Sequence, residues 1–166
     1  MALSLHIQID TTRPPDIGAR KWSDFSKTAM RAAADVWHTK FIETHFRPAA
    51  KYKYRYARRT SKYTDRKQAL ARVGKAARGG QVDLVYTGTL EKQMLRRGIL
   101  RIFPTRFVLS KPAGSYITDR PRGGRPNMVK EITTVVPSEA EAMAKAYQEA
   151  AAKLMNTYRA TRRKKI

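Results

Sequence analysis

Residues 3–46 read LSLHIQIDTTRPPDIGARKWSDFSKTAMRAAADVWHTKFIETHF, and their hydrophobic period changes partway along. Leu3, Leu5, Ile7 and Ile9 alternate with Ser4, His6 and Gln8, the period of a strand with one covered face. Pro14-Pro15 then ends any strand, because proline fixes φ and has no N–H to donate. From residue 23 to 46 the apolar positions recur at helical spacing: Phe25, Ala29, Ala32 or Ala33, and Val36 make one stripe. Ser23 is placed to cap this helix, Asp24 sits near the positive end of its dipole, and Pro48 stops it. A half-buried strand followed by a long amphipathic helix points to an α+β fold.

The remainder fits the same class. Strict alternation in Lys51-Tyr-Lys-Tyr-Arg-Tyr56 predicts an extended segment within 47–61, with a tyrosine face and a cationic face. A second helix follows from Ser61 to about Arg78, on Leu70 and Val73, and Gly79-Gly80 closes it. Residues 82–86 read as a short strand, and Thr87-Gly88-Thr89 turns into a helix over 90–97, closed by Gly98. Two strands, 99–103 and 107–109, flank a Pro104-Thr105 turn, and 128–136 reads as another strand. The last helix runs from Ser138, three residues before Glu141 in the capping-box spacing, to about Arg159. The expectation is a single domain over 1–166: three or four mostly antiparallel strands packed against two long helices. Segments 47–61 and 111–126 project from it, and residues 159–166 form a basic tail.

Composition bounds the function. The 166 residues include 35 Lys and Arg against 13 Asp and Glu, a formal net charge of +22. Such an excess repels itself and draws anions or acidic partners. No run of about 18 apolar residues is present for a membrane span. The first ten residues lack the basic start and apolar block of a signal peptide, so an intracellular, soluble protein is expected. Absence of cysteine excludes disulfides and thiolate metal sites.

The excess is confined. Residues 1–46 are near balance, with six basic and five acidic side chains, whereas 47–80 hold twelve basic residues and one acid. Residues 92–130 hold ten basic residues and one acid, and 159–166 hold five basic residues and none acidic. Phosphate contact is the direct physical use of such segments, since each neutralised phosphate releases a counterion. The candidates for DNA or partner contact are Lys51, Lys53, Arg55, Arg58 and Arg59, with Arg120, Arg122 and Arg125 in the later loop. Tyr52, Tyr54 and Tyr56 have two readings: bases stack on them, or an extended arm lays them on a neighbouring subunit. No zinc-finger spacing, RNP motif or helix-turn-helix accompanies them, so nothing here reads a base sequence.

Catalytic constellations are missing from the pattern. His38 and His45 are seven apart, not the four of a helical zinc pair, and His6 stands elsewhere. The acids are scattered singly, without the convergent carboxylates of a metal-dependent nuclease. Arg122-Gly-Gly-Arg125 has no following Gly-Lys-Ser/Thr. A non-enzymatic protein without metal or cofactor is therefore expected.

One pattern resembles a known family. Phe41-Ile-Glu-Thr-His-Phe-Arg-Pro48, the tyrosine-and-basic stretch, the basic helix with Tyr63, Arg66 and Lys67, and then Leu84-Val-Tyr-Thr-Gly-Thr-Leu90 follow one another. Together, over roughly 25–110, they are similar to the neck or tail-completion proteins of tailed phages, in which Leu84, Val85, Thr87, Gly88 and Leu90 match the core motif. The resemblance implies a structural virion protein made in the host cytoplasm and placed at the head–tail junction. It further implies a homo-oligomeric ring joining the portal side to the tail, with other connector and tail proteins as neighbours. Packaged DNA would pass through it, held by nonspecific electrostatics, with no membrane involved. The alternative is a sequence-nonspecific nucleic-acid-binding protein of ribosomal or DNA-binding type.

Overall fold

The computed structural model describes residues 2–75, 88–96, 98–112 and 126–163. It is α+β, with a three-stranded antiparallel sheet of order β1-β3-β2 and two long helical runs. The strands are β1 (Ala2–Gln8), β2 (Ile99–Ile102) and β3 (Arg106–Pro112). The helices are α1 (Ala19–Val36), α2 (Ala50–Lys53), α3 (Ser61–Arg72), α4 (Thr89–Leu95), α5 (Met128–Thr133) and α6 (Pro137–Arg163). Past Val36 the first helical run continues through a π turn, Trp37–Phe41, and a 3-10 turn, Ile42–Phe46. Among the described residues, no helix is long and apolar enough to cross a membrane.

The chain divides into two compact units. One comprises Leu5–Trp37, Leu100–Leu109 and Pro137–Ile166. Its centre is the pairing of α1 with α6. Phe25, Ala29, Met30, Ala33 and Ala34 are buried along α1, at the three- and four-residue intervals of one helix face. The alanines keep that face thin, and Met143, Tyr147 and Ala151 are the buried apolar residues of α6. Tyr147 donates to Ser26 Oγ at 3.1 Å, so both buried hydroxyls are satisfied. At the far end of α6, Tyr158 meets Phe25 edge to face, and Arg159 grips Asp16 with two hydrogen bonds of 2.7 and 2.9 Å. That guanidinium holds the Asp16 carboxyl below its ordinary pKa. In β1, Leu5 is buried and His6 and Gln8 are exposed, as alternation requires.

The other unit comprises Met1–Ser4, His38–Ile99 and Ser110–Val136. Ile42, Phe46, Ala50, Leu90, Met94 and Ile132 are its buried aliphatic and phenyl side chains. Gly88 begins α4 in the left-handed region at φ +81, where glycine alone is free of Cβ strain. Leu90, the last residue of the motif, is buried two residues on, while Leu84, Val85 and Thr87 lie outside the described residues. Gly98 is required sterically, because a Cβ there would overlap the carbonyl oxygen of Ser110.

Several elements differ from expectation. The first helix begins at Ala19 behind Gly18, ahead of Ser23. Residues 47–61 do not form a strand: α2 is a helical turn beginning just after Pro48, and Arg55 reverses the chain at φ +52. The β-branched run at 128–136 misleads too. Its first six residues are α5, nucleated by Asn127, whose side chain accepts from Lys130 N–H at 2.8 Å. The second helix, expected to reach Arg78, ends at Arg72 ahead of Gly74 at φ +69; the last helix runs 137–163, and the β2–β3 hairpin turns at Pro104-Thr105 as expected. The expected strand at 82–86 and nearly all of the 111–126 loop fall outside the described residues.

Candidate polyanion-binding segment

Segment 47–75 begins from a buried anchor. His45, in the 3-10 turn, is fully buried and stacks on Tyr54 with ring centroids 3.8 Å apart. Its Nδ1 meets the Tyr56 hydroxyl at 2.7 Å, and the hydroxyls of Tyr54 and Thr44 are hydrogen-bonded to each other. Burial, with the nearby Lys53 charge, pulls the His45 pKa down to about 3, so the imidazole is neutral. The Lys53 ammonium lies 4.9 Å from the Tyr54 ring centre and 5.6 Å from that of Phe41. These contacts fix both ends of the α2 turn.

A second anchor lies a few residues on. Arg59 donates two hydrogen bonds to the Glu131 carboxylate, at 2.9 and 2.6 Å, and the Ala57 N–H donates to the same carboxylate at 3.0 Å. Both charged side chains are nearly buried, at 5% and 9% exposure. Thr60 then caps α3 by accepting from the Tyr63 N–H. Inside α3, Lys67 is buried with its ammonium 5.7 Å from the Tyr63 ring centre.

What remains outside these anchors is cationic. Lys51, Lys53, Arg55, Arg58, Lys62 and Arg66 are exposed, and Asp65 is the one acid between residues 47 and 75. The structure therefore sorts the sequence candidates. Lys51, Arg55 and Arg58 are exposed, Lys53 is exposed with its ammonium over the Tyr54 and Phe41 rings, and Arg59 is an internal tie. Tyr54 and Tyr56 are internal too, at 4% and 7% exposure, so the expected three-tyrosine face does not form; only Tyr52 stands out, at 83%. Arg120, Arg122 and Arg125 lie outside the described residues.

Arg55 carries a backbone cost. Its neighbours close the turn with Tyr54 N–H to Ala50 O at 2.8 Å and Tyr56 N–H to Lys51 O at 3.0 Å, the six-to-one closure that ordinarily has glycine at the left-handed position. Arg55→Gly is expected to stabilise the protein by about 0.5–1 kcal/mol, since the relief of strain exceeds glycine's entropic cost. A rise in urea midpoint at unchanged m-value would register it; a fall would mean that the arginine side chain stabilises the turn.

Sequence reasoning missed the three residues that hold the unit's polar interior. Glu131 lies in the run expected as a strand, His45 is marked in the sequence only by its spacing from His38, and Lys111 is one of the ten basic residues over 92–130. Lys111 is buried, and its ammonium donates to the carbonyls of Met94, at 2.6 Å, and Arg96, and meets His38 Nδ1 at 3.1 Å. It thus serves the unpaired carbonyl end of α4, and burial lowers its pKa to about 8. A lysine two residues beyond the apolar Val108-Leu109 pair was the only sequence signal for it. Among the described residues, no three His, Asp or Glu side chains converge as metal ligands. No protein-family model, no curated protein and no solved structure matches the chain.

Proposed function

We propose that the chain is a structural, non-enzymatic component of a tailed-phage neck, an oligomeric adaptor whose cationic segment faces the DNA passing from head to tail. The observation that carries this reading is the build of segment 47–75: exposed cations, among them Lys51, Arg55, Arg58, Lys62 and Arg66, mounted on two buried anchors. A solvated charge run needs no such mounting, and ordering these residues costs about 1–2 kcal/mol of backbone entropy each. Rigid placement instead suits a surface that meets a regular polyanion, where each phosphate contact releases a counterion. The resemblance over 25–110 supplies the assembly context. Its glycine and last leucine do local work consistent with it, Gly88 turning the chain into α4 and Leu90 packing inward.

A density gradient of lysate from producing cells, treated with nuclease and blotted for this chain, tests the reading. Banding with nuclease-resistant, DNA-filled particles is the expected result. Migration with ribosomes, or release from heavy fractions by nuclease, would overturn it in favour of a nonspecific nucleic-acid binder.

A further inference from the structure

We propose that Tyr52 is a base-stacking residue and that the α2 turn binds unpaired nucleotides. The inference rests on the reading that the cationic segment meets nucleic acid, and it names which form of nucleic acid the segment prefers.

Three tyrosines lie within five residues, and two of them, Tyr54 and Tyr56, complete the packing around His45. Tyr52 takes no part in that packing. It stands on the four-residue turn of α2, 83% exposed, with exposed Lys51 and Lys53 on either side and Arg55 two residues on. The turn beneath it is closed by backbone hydrogen bonds and by the Tyr54 stack, so the ring is presented from a fixed base. A tyrosine side chain has few rotatable bonds, so holding it against a ligand sacrifices little entropy.

Charge decides what covers the ring. The same basic segment of a second copy would set like charge against the lysines that flank Tyr52. A polyanion is attracted by the same lysines. Among polyanions, nucleic acid also offers flat rings to stack on a tyrosine, and stacking is indifferent to base identity. In a duplex those faces are covered by neighbouring base pairs. The ring therefore distinguishes unpaired strands from paired ones, while the cations hold phosphates of both.

The test uses the purified full chain and three ligands of equal length: oligo-dT, an abasic strand, and a blunt duplex, each titrated over a salt series. Tyr52→Ala is expected to weaken oligo-dT binding about tenfold, leave the abasic strand and the duplex unchanged, and keep the salt slope. Tyr52→Trp should retain the oligo-dT affinity. Equal weakening on all three ligands, no weakening on any, or no binding of oligo-dT by the wild type would overturn the proposal. The double variant Arg58→Gln/Lys62→Gln examines the underlying reading separately. It should lower the salt slope by about 1.8 on the duplex and about 1.4 on the two single strands. An unchanged slope there would remove phosphate contact from this segment, whereas the Tyr52 comparison between oligo-dT and the abasic strand would still decide stacking.

Discussion

Acidification from neutral to about pH 4 is expected to remove about 3 kcal/mol of stability, and His45→Phe to abolish most of that loss. The unfolded chain titrates this imidazole near 6.5, while the folded protein holds it neutral down to about 3. Between those values the unfolded state binds a proton that the folded state refuses, so stability rises with pH across the window. The contribution is complete above 6.5 and is lost as pH falls toward 3. The cause is physical: the ring is buried, stacked on Tyr54, and faces the Lys53 charge, so an imidazolium would lose its hydration beside a like charge. Phenylalanine keeps the stack and forfeits the Nδ1 contact, at a pH-independent cost of about 1 kcal/mol. The Tyr56 hydroxyl retains its 3.4 Å bond to the residue-45 carbonyl. Urea midpoints between about pH 4 and 7 would measure both slopes, and the stretch above about pH 5, where ordinary carboxylates are mostly ionised, isolates the imidazole. A wild-type slope that persists in the phenylalanine variant would place the acid sensitivity elsewhere.

The largest single loss is expected from Glu131→Ala, at about 3–5 kcal/mol. That change strands two donors at once: the nearly buried Arg59 guanidinium and the Ala57 N–H. Loss of the partner leaves a desolvated charge, which costs more than the intact pair contributes. Replacing both members, Arg59→Met with Glu131→Leu, should therefore restore most of the stability lost by Glu131→Ala. A thermodynamic cycle on denaturant midpoints measures the coupling, and additive single effects would mean that the two side chains do not act as a pair. The same experiment separates Arg59 from its cationic neighbours. Neutralising Arg59 should appear as instability, whereas neutralising exposed Arg58 should leave the midpoint nearly unchanged.

Wherever an element follows from nearest neighbours along the chain, reading the residues was enough. Alternation in Leu5, Ile7 and Ile9, the helical stripe from Phe25, the Gly88 turn and the hairpin at Pro104-Thr105 are of this kind, because pleat, helical period and special φ values are local constraints. The tyrosine-basic alternation obeyed the same local rule and still misled. Its period describes a strand only if both faces have uniform surroundings, and these residues do not: His45 claims Tyr54 and Tyr56 inward from a turn, and Tyr52 is left outside.

The run at 128–136 failed for a related reason. Its β-branched residues favour a strand in isolation, but Glu131 must present its carboxylate to Arg59, 72 positions earlier, and the Asn127 cap makes a helix available there. The α+β class, the long helices and the uneven distribution of charge were all determined by the amino-acid sequence alone. Which cations stay in water and which become internal ties was decided only by tertiary structure. Arg58 and Arg59 are adjacent and chemically alike, and no local property separates them. The difference is a carboxylate brought from far along the chain, and burial of a charge is favourable only where such a partner arrives.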